Sequence, residues 1–358
     1  MIISVIIPAY NAARTLPACL NALKNQQNIE RSAYEIIVVN DGSTDNTAAI
    51  CEKETAVRLI SVQDQPGQHV QPGQQGSKGA ATARNCGIHA ANGEIVCFTD
   101  ADCEPSANWL YNLVQPLKDA EIAGCKGIYA TKQSAFMARF IQIEYEDKYD
   151  RLRSQSRIDF IDTYSAAYRR HILVENGGFD ELFHYAEDVE LSFRLTNLGY
   201  QFVFQPDAIV YHKHPDKLRT YLNKKFWNGY WRTQTIRRFP ERAVKDSHTP
   251  QTLKIQIVLM ALLLATTAVT LFSLLLNPAI TYLALLLWVS ALCAFLLTTI
   301  PFARKAWPKD KQVALASPLV MGARSLALGF GTASGLLRPN QDIFGKQAPE
   351  ATQQTPPR

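Results

Sequence analysis

The stretch that decides the fold is EIVCFTDAD, residues 94–102. A short apolar run, rich in branched and aromatic side chains, leads directly into Asp100 and Asp102. An apolar run of this length between polar residues is typical of a strand that is buried on both faces. Residues two apart in an extended segment project to the same side, so the two carboxylates can face one ligand.

Two similar apolar runs precede this one, at residues 2–7 and 35–39. Residues 13–24 follow the first run, residues 44–55 follow the second, and residues 80–91 precede the third. All three stretches are compatible with helices. Such alternation predicts an α/β fold with a mostly parallel central sheet and helices on both faces. Residues 1–10 have neither a basic leader nor a small-residue cleavage site, so we predict a strand there and expect the catalytic part to stay in the cytosol.

The composition indicates the compartment and limits the kinds of partner. A net charge of +5 over 358 residues gives no indication of nucleic-acid binding, and we expect none. The seven cysteines are scattered without a Cys-x-x-Cys pair, which is typical of reduced thiols. Residues 63–79 are rich in Gln, Gly and Pro and predict a loop, but they lack the glycine and lysine spacing of a phosphate-binding loop.

The last third of the chain has the composition of a membrane anchor. Residues 255–276 and 279–302 are almost wholly apolar, and each is long enough to cross a bilayer of ~30 Å at ~1.5 Å per residue. Asn277-Pro278 predicts a tight turn, so we expect a transmembrane helical hairpin, with a pair of buried core helices as the alternative. Basic residues flank both outer ends, which places those ends on the cytoplasmic side. These are Arg232, Arg237, Arg238, Arg242, Lys245, Lys254, Arg304, Lys305, Lys309 and Lys311.

The segment beyond the hairpin is less apolar. Residues 312–337 have Arg324 near the middle and four glycines, which favours an interfacial or re-entrant helix over a third span. The predicted organisation is a cytosolic catalytic domain (1–230), a basic and aromatic interfacial linker (231–254), two transmembrane helices (255–303), the interfacial or re-entrant helix (304–338) and a disordered tail (339–358).

Residues suited to binding one ligand follow each of the three predicted strands. They are Pro8, Ala9, Tyr10 and Asn11 after the first, Asn40 to Asp45 after the second, and Asp100, Ala101 and Asp102 after the third. Ligands bind beyond the carboxyl ends of parallel strands, so these residues should share one crevice. Asp100 and Asp102 can hold Mg²⁺ or Mn²⁺ with substrate phosphates, or one can hold the metal and the other a ribose hydroxyl. A solvated turn is the alternative.

Charged residues near these strand ends are candidates for contacts with a nucleotide ligand. Asp41 can accept a hydrogen bond from a nucleobase or a ribose, with turn formation and helix capping as the alternative. Ser43 and Asp45 serve that role equally well, which leaves Asp41 for the ligand. Lys78 and Arg84 are the nearest cations. Arg84 lies in or near a helix whose N-terminus can face phosphates, and a surface salt bridge is its alternative.

Three further features lie downstream. Glu187 and Asp188 open a predicted helix, where the dipole holds a carboxylate. Asp188 is the candidate base for an acceptor hydroxyl, with simple capping as the alternative. His212 and His214 follow a predicted strand at 208–211; one of them can complete a metal site, or the two form a surface pair. The stretch FWNGYWR, residues 226–232, favours a membrane interface, with a packed core helix as the alternative.

These motifs together resemble the family 2 glycosyltransferases over roughly residues 1–230. The matching stretches are, in order, residues 5–11, 39–45, 83–87, 99–102 and 187–188. The resemblance implies a GT-A nucleotide-diphospho-sugar transferase fold and inverting transfer from a nucleotide-sugar donor, usually a UDP-sugar. It further implies that Asp41 contacts the base, Asp100 lies near the ribose, Asp102 binds the metal, Asp188 is the base, and His212 contacts metal or diphosphate.

The departures from this family narrow the expected function. Processive polysaccharide synthases have a Gln-x-x-Arg-Trp motif, whereas YWRTQ, residues 230–234, lies in the comparable region here. We therefore predict transfer of one sugar to a lipid-linked or glycolipid acceptor at the cytoplasmic (inner) membrane. The alternatives are a polyprenyl-phosphate glycosyl synthase, whose anionic acceptor needs no base, and a membrane-tethered nucleotide-sugar binding protein without turnover.

Overall fold

The computed structural model describes residues 2–62, 77–244, 249–274 and 278–338. Within these ranges the centre is an eight-stranded mixed sheet of order β3-β2-β1-β4-β7-β6-β8-β5. The strands are β1 Ile3–Ala9, β2 Tyr34–Asn40, β3 Val57–Ser61, β4 Ile95–Phe98, β5 Cys103–Pro105, β6 Ile122–Ala130, β7 Ala166–Arg169 and β8 Gln201–His212. The predicted disordered tail, the turn residue Asn277, the flanking Lys245 and residues 63–76 of the predicted loop lie outside the described residues.

The first half of the sheet is parallel, as the apolar runs predict. β3, β2, β1 and β4 are neighbours that all pair in the parallel sense. Apolar side chains on both faces of these strands are buried, and they divide between two core clusters. The helices are α1 Leu16–Lys24, α2 Thr47–Glu52, α3 Ala80–Ala90, α4 Trp109–Val114, α5 Phe136–Arg153, α6 Arg170–Glu175, α7 Glu187–Asn197, α8 Leu218–Arg238, α9 Gln251–Ser273, α10 Pro278–Ala306 and α11 Lys311–Leu337.

The second half of the sheet is mixed. β7 runs antiparallel to β4 and β6, β8 is parallel to β6, and β5 closes the edge antiparallel to β8. The strand predicted at 208–211 is the second half of a longer strand, β8, whose first half begins at Gln201. Pro206 separates the two halves in sequence, and the pairing with β6 shifts register there, which accommodates a residue without an N–H.

Among the described residues, three helices are long and apolar enough to cross a membrane: α9, α10 and α11. About a fifth of the residues in the apolar window of α9 and of α10 are buried, against half of those in α11. The leucine-rich outer surfaces of α9 and α10 are exposed in the isolated chain. α11 is therefore packed against protein to an extent that the hairpin is not.

The partner of α11 is α8, and glycines bring the two helices together. A Cβ added at Gly331 would overlap the carbonyl oxygen of Phe226, and one at Gly229 would overlap that of Leu328. Gly335 likewise lies against the Tyr230 carbonyl. Because α8 runs continuously from 218 to 238, the boundary predicted after residue 230 falls inside this helix.

We expect Gly331→Ala to loosen the α8–α11 contact. The added methyl group meets backbone, which cannot rotate away, so the substitution should cost about 1–3 kcal/mol. Gly329→Ala is the matched control, because its nearest neighbour there is the Ile257 Cγ2 at 3.5 Å, an ordinary contact. Urea unfolding in detergent, followed by the fluorescence of Trp227 and Trp231, should show a lower midpoint for Gly331→Ala alone. Equal midpoints would contradict the close packing.

Candidate active site

The ends of β1 and β2 are joined by hydrogen bonds between their following loops. The Asn11 amide donates to Ser43 Oγ at 3.0 Å, and the Thr44 amide donates to Asn11 Oδ1 at 2.8 Å. Asn11 takes a left-handed backbone, φ 50°, which asparagine tolerates better than most residues. The neighbouring Tyr10 is 47% exposed, and Pro8 lies within β1 opposite Val39. These hydrogen bonds hold the loops after β1 and β2 together, and the ring of Tyr10 projects from them.

Asp41 follows β2 directly and is 3% exposed. Its carboxylate accepts hydrogen bonds from Ser77 Oγ at 2.5 Å and from the amides of Lys78 and Gly79, both at 2.9 Å. Lys78 therefore contributes its backbone here. Asp41 fastens the segment that leads into α3, and a contact with a nucleobase stays a prediction.

Arg84 connects elements that are far apart in sequence. This α3 residue is 4% exposed. Its guanidinium donates to Glu187 at 2.5 Å and to Asp100 at 3.1 Å, so the surface salt bridge is replaced by a buried one. Arg84 Nε and Thr99 Oγ1 are buried without a hydrogen-bond partner in the described part of the chain. Such atoms are expected where a polar ligand binds.

The Glu187-Asp188 pair begins α7 directly after a strained residue. Ala186 has a left-handed backbone, φ 64°, which is unusual for a residue other than glycine, and such strain tends to persist at functional sites. Asn85 of α3 holds the preceding turn, because its side chain exchanges hydrogen bonds of 2.8 and 2.9 Å with the backbone of Phe179. The pair is thus positioned by α3.

Burial sets the protonation of this pair. It raises the pKa of Glu187 from the usual 4.5 to about 7, although Arg84 opposes the rise and the charge of Asp188 adds to it. Burial also raises the pKa of Asp188, against the charges of Arg84, Lys148 and Lys126. The two carboxylates titrate as a pair, and Asp188 is more basic than a solvated aspartate.

The two lysines near Asp188 are residues that the sequence did not single out. Lys126 of β6 is fully buried, and it pairs with Asp162, which Lys148 also contacts at 3.2 Å. Both ammonium groups lie over the ring of Phe160. A lysine within the apolar strand sequence AGCKGIY was the available signal, because charged residues are rarely buried unless they are paired. Burial lowers the pKa of Lys126 well below its usual range, and the charge of Asp188 opposes that shift.

Asp100, Asp102 and His212 come together in a site that fits a divalent cation. Ligand atoms of Asp100, Asp102 and Cys103 lie within 4.8 Å of one another, and His212 Nε2 lies 3.3 Å from Asp102 Oδ2. Burial raises the pKa of the Cys103 thiol well above its usual range, and the thiol donates to Asp102 Oδ1. Two carboxylates and one imidazole suit Mg²⁺ or, better, Mn²⁺.

Of the two histidines, His212 faces the site and His214 lies behind it. His214 is buried, and its ring stacks on Tyr145. Burial lowers the pKa of His214 to about 3, and the charge of His212 adds to that shift, so His214 is neutral. His212 is therefore the histidine that lies beside the Asp102 carboxylate.

Comparison with known families gives the assignment. The model described as Glycosyl transferase family 2 matches residues 4–177, and the model described as Glycosyl transferase family group 2 matches residues 95–302, more than half of the chain. The chain belongs to the family 2 glycosyltransferases. The resemblance predicted from five short motifs is confirmed.

Two curated relatives illustrate the range of similarity. The chain is 32% identical over 247 residues to the probable glycosyltransferase YdaM of Bacillus subtilis, covering 65% of this chain and 53% of that protein. It is 30% identical over 213 residues to the glycosyltransferase AglE of Haloferax volcanii, covering 59% of this chain and 66% of that protein. The chain thus spans about half to two thirds of the length of these relatives.

A solved structure supports the fold. The mannosyltransferase PcManGT from Pyrobaculum calidifontis, in complex with GDP-Man and Mn²⁺, superimposes with a TM-score of 0.57 at 21% identity. The match covers 93% of this chain and 86% of that one. The GT-A fold and the apolar C-terminal helices are as the sequence predicts.

We expect Arg84→Met to destabilise the protein in a pH-dependent way. Removing the guanidinium leaves Glu187 and Asp100 without their cation, which should cost about 3–5 kcal/mol at pH 8. Glu187 has a folded-state pKa above its usual 4.5, so its contribution to stability is full below pH 4.5 and is lost as the pH rises through about 7. The penalty should therefore shrink at pH 5.5, where this carboxyl is neutral.

The measurement is the urea midpoint of each variant at both pH values. Arg58→Met is the matched control, since that exposed guanidinium lies 3.8 Å from Glu35 and should contribute less than about 1 kcal/mol. A loss for Arg84→Met that is equal at the two pH values would show that Glu187 does not titrate in this range.

Proposed function

We propose that this protein is an inverting, metal-dependent glycosyltransferase that moves one sugar from a nucleotide-sugar donor to a membrane lipid-linked acceptor. The observation that supports this best is the single crevice in which buried Arg84 joins the carboxylates of Asp100 and Glu187. A donor-side group, Asp100, and an acceptor-side pair, Glu187 and Asp188, are thereby held on either side of one guanidinium.

The donor half of the crevice suits a nucleoside diphosphate. Asp41, Tyr10, Asn11, Pro8 and Ala101 line its floor and rim. Asp102, Asp100 and His212 would hold the cation, which neutralises the charge that develops on the diphosphate leaving group. The related fold of PcManGT was solved with GDP-Man and Mn²⁺, so a guanine donor is tested beside UDP-sugars.

The acceptor half suits proton abstraction from a hydroxyl. An inverting transfer needs one base, and a base works best when its pKa approaches the working pH. Burial raises the pKa of Asp188 in that direction, while the charges of Arg84, Lys148 and Lys126 limit the rise. Asp188 is thus more basic than a solvated carboxylate, which fits the role.

The membrane arrangement supports a lipid-borne acceptor. Basic residues end α10, and Trp227 of α8 is 42% exposed beside Phe226 and Tyr230, an aromatic group typical of the headgroup region. We propose that α9 and α10 span the inner membrane as a hairpin with both outer ends in the cytosol. The catalytic domain would then work against the cytoplasmic leaflet.

α11 is proposed to lie across the cytoplasmic end of the hairpin. Its N-terminal Asp310 pairs with Arg139 of α5, and its last carbonyls accept hydrogen bonds from Arg237 and Tyr230 of α8. Both ends of the helix therefore contact the catalytic domain. The exposed residues of its outer face, Leu315, Leu319, Phe330 and Leu337, would enter the lipid.

The middle of α11 is also held near the start of the hairpin. Arg324 donates to Glu144 of α5 and to Gln256 near the start of α9, each at 2.6 Å. Burial alone would raise the pKa of Glu144, but the charges of Lys225 and Arg324 outweigh it and lower the pKa to about 2. A charged pair of this kind fits the membrane interface far better than the centre of a bilayer.

We expect nucleotide sugars to stabilise the protein only with Mn²⁺ present. A ligand at about 100 times its Kd adds about 2.7 kcal/mol, which raises the unfolding temperature measurably. The screen uses UDP-sugars and GDP-mannose with and without Mn²⁺. Asp102→Asn should lose the Mn²⁺-dependent part, and Asp207→Asn, an exposed carboxylate, should not. No response to any nucleotide sugar would contradict the proposed donor class.

We expect Asp188→Asn to separate the two acceptor classes. With a hydroxyl acceptor, loss of the base should lower turnover about 10²- to 10⁴-fold while donor stabilisation persists. The measurement is transfer of label from the donor found in the screen to membrane lipid extract, with exposed Asp119→Asn as control. Near-normal transfer by Asp188→Asn would favour a polyprenyl-phosphate acceptor, and donor binding without transfer by the unmodified protein would favour a binding protein.

A further inference from the structure

The ring of His212 faces the carboxylate pair and is held in place by neighbouring residues. The ring stacks on Tyr129 with centroids 4.5 Å apart, and the His212 carbonyl accepts a hydrogen bond from Thr131 Oγ1 at 3.0 Å. Its Nε2 faces Asp102, and its Nδ1 lies 3.3 Å from the Nδ1 of His214. The state of His214 therefore decides which nitrogen of His212 carries the proton.

The state of His214 is itself fixed by Gln142 of α5. The Gln142 amide nitrogen donates to the Tyr129 carbonyl at 3.2 Å and to a Glu146 carboxylate oxygen at 3.3 Å, and both partners can only accept. Gln142 Oε1 must then face His214 Nε2, which lies 3.1 Å away. An amide oxygen only accepts, so His214 Nε2 bears a proton. The ring is buried, and burial disfavours a charged imidazole, so the neutral ring leaves His214 Nδ1 bare.

The backbone of His214 is fixed as firmly as its ring. Its N–H donates to Gln133 Oε1 at 2.6 Å, and the Gln133 amide returns a hydrogen bond to the His214 carbonyl at 3.0 Å. The ring lies parallel to that of Tyr145 at 5.5 Å. His214 has no freedom to turn its other nitrogen towards His212.

We propose that His214, oriented by Gln142, is a positioning residue that accepts a hydrogen bond from His212 Nδ1–H, keeps the His212 proton on that nitrogen and so presents the bare Nε2 to the cation held by Asp100 and Asp102. This rests on the metal dependence in the proposed function. A bare nitrogen and a carboxylate oxygen 3.3 Å apart are both acceptors, so the space between them favours a cation. Metal-bound imidazoles are commonly fixed in this manner through their second nitrogen.

The test uses Mn²⁺ alone with the full chain in detergent. Its affinity is measured from the electron paramagnetic resonance of free Mn²⁺, and bound imidazole is detected as nitrogen modulation in the spin echo. We expect nitrogen modulation in the unmodified protein and none in His212→Ala. His214→Phe keeps a ring against Tyr145 but offers no acceptor, so it should weaken binding about 10- to 100-fold and remove the modulation.

Two further variants keep the proposal testable if His214→Phe folds poorly. His214→Asn supplies an amide oxygen near the position of Nδ1 and should restore part of the affinity and the modulation. Gln142→Leu frees the His214 tautomer and should weaken binding in the same direction as His214→Phe. His171→Phe, a change of an exposed histidine on α6, should match the unmodified protein.

The outcomes separate this proposal from the proposed function. Nitrogen modulation and affinity that are unchanged in both His214→Phe and Gln142→Leu would overturn the positioning role and leave the metal site intact. Mn²⁺ bound without nitrogen modulation in the unmodified protein would overturn the role of His212 and of His214 together. No Mn²⁺ binding at all would overturn this proposal and also the metal dependence of the transfer.

Discussion

One buried guanidinium holds the candidate site together. Arg84 contacts Asp100 at the end of β4 and Glu187 at the start of α7, which are 16 and 103 residues away in sequence. A buried cation has to be paired, and a buried carboxylate likewise, so neither half of the crevice can move without leaving a charge exposed to a low dielectric. Arg84 therefore fixes the positions of the donor side and the acceptor side relative to each other.

A second polar junction connects this site to the apolar helices. α5 contacts His214 through Gln142 and Tyr145 on one side, and Arg324 through Glu144 on another. Apolar residues of the same helix pack against α9, α10 and α11 in one cluster. The helix α5 therefore positions both the apolar helices and the ring of His214.

Much of this was predictable because it rests on local pattern. Apolar runs ending in polar residues located β1, β2 and β4, and uninterrupted apolar length located α9 and α10. The unity of β8 was not predictable, because Pro206 is a strand breaker in sequence and only the register shift against β6 accommodates it. The partners of Arg84 and the role of Lys126 depend on contacts between distant segments, which periodicity does not report.

In the sequence, the glycines of α11 favour an interfacial or re-entrant helix over a third span, and the structure gives them a further role. Gly229, Gly331 and Gly335 let the backbones of α8 and α11 touch, so the register between the helices is set by main-chain atoms. A single inserted residue would turn the following part of α11 by about 100° and put a bulky side chain where a glycine must be. Natural variation in this pair is therefore expected in side chains of the outer faces, while the lengths of both helices stay constant.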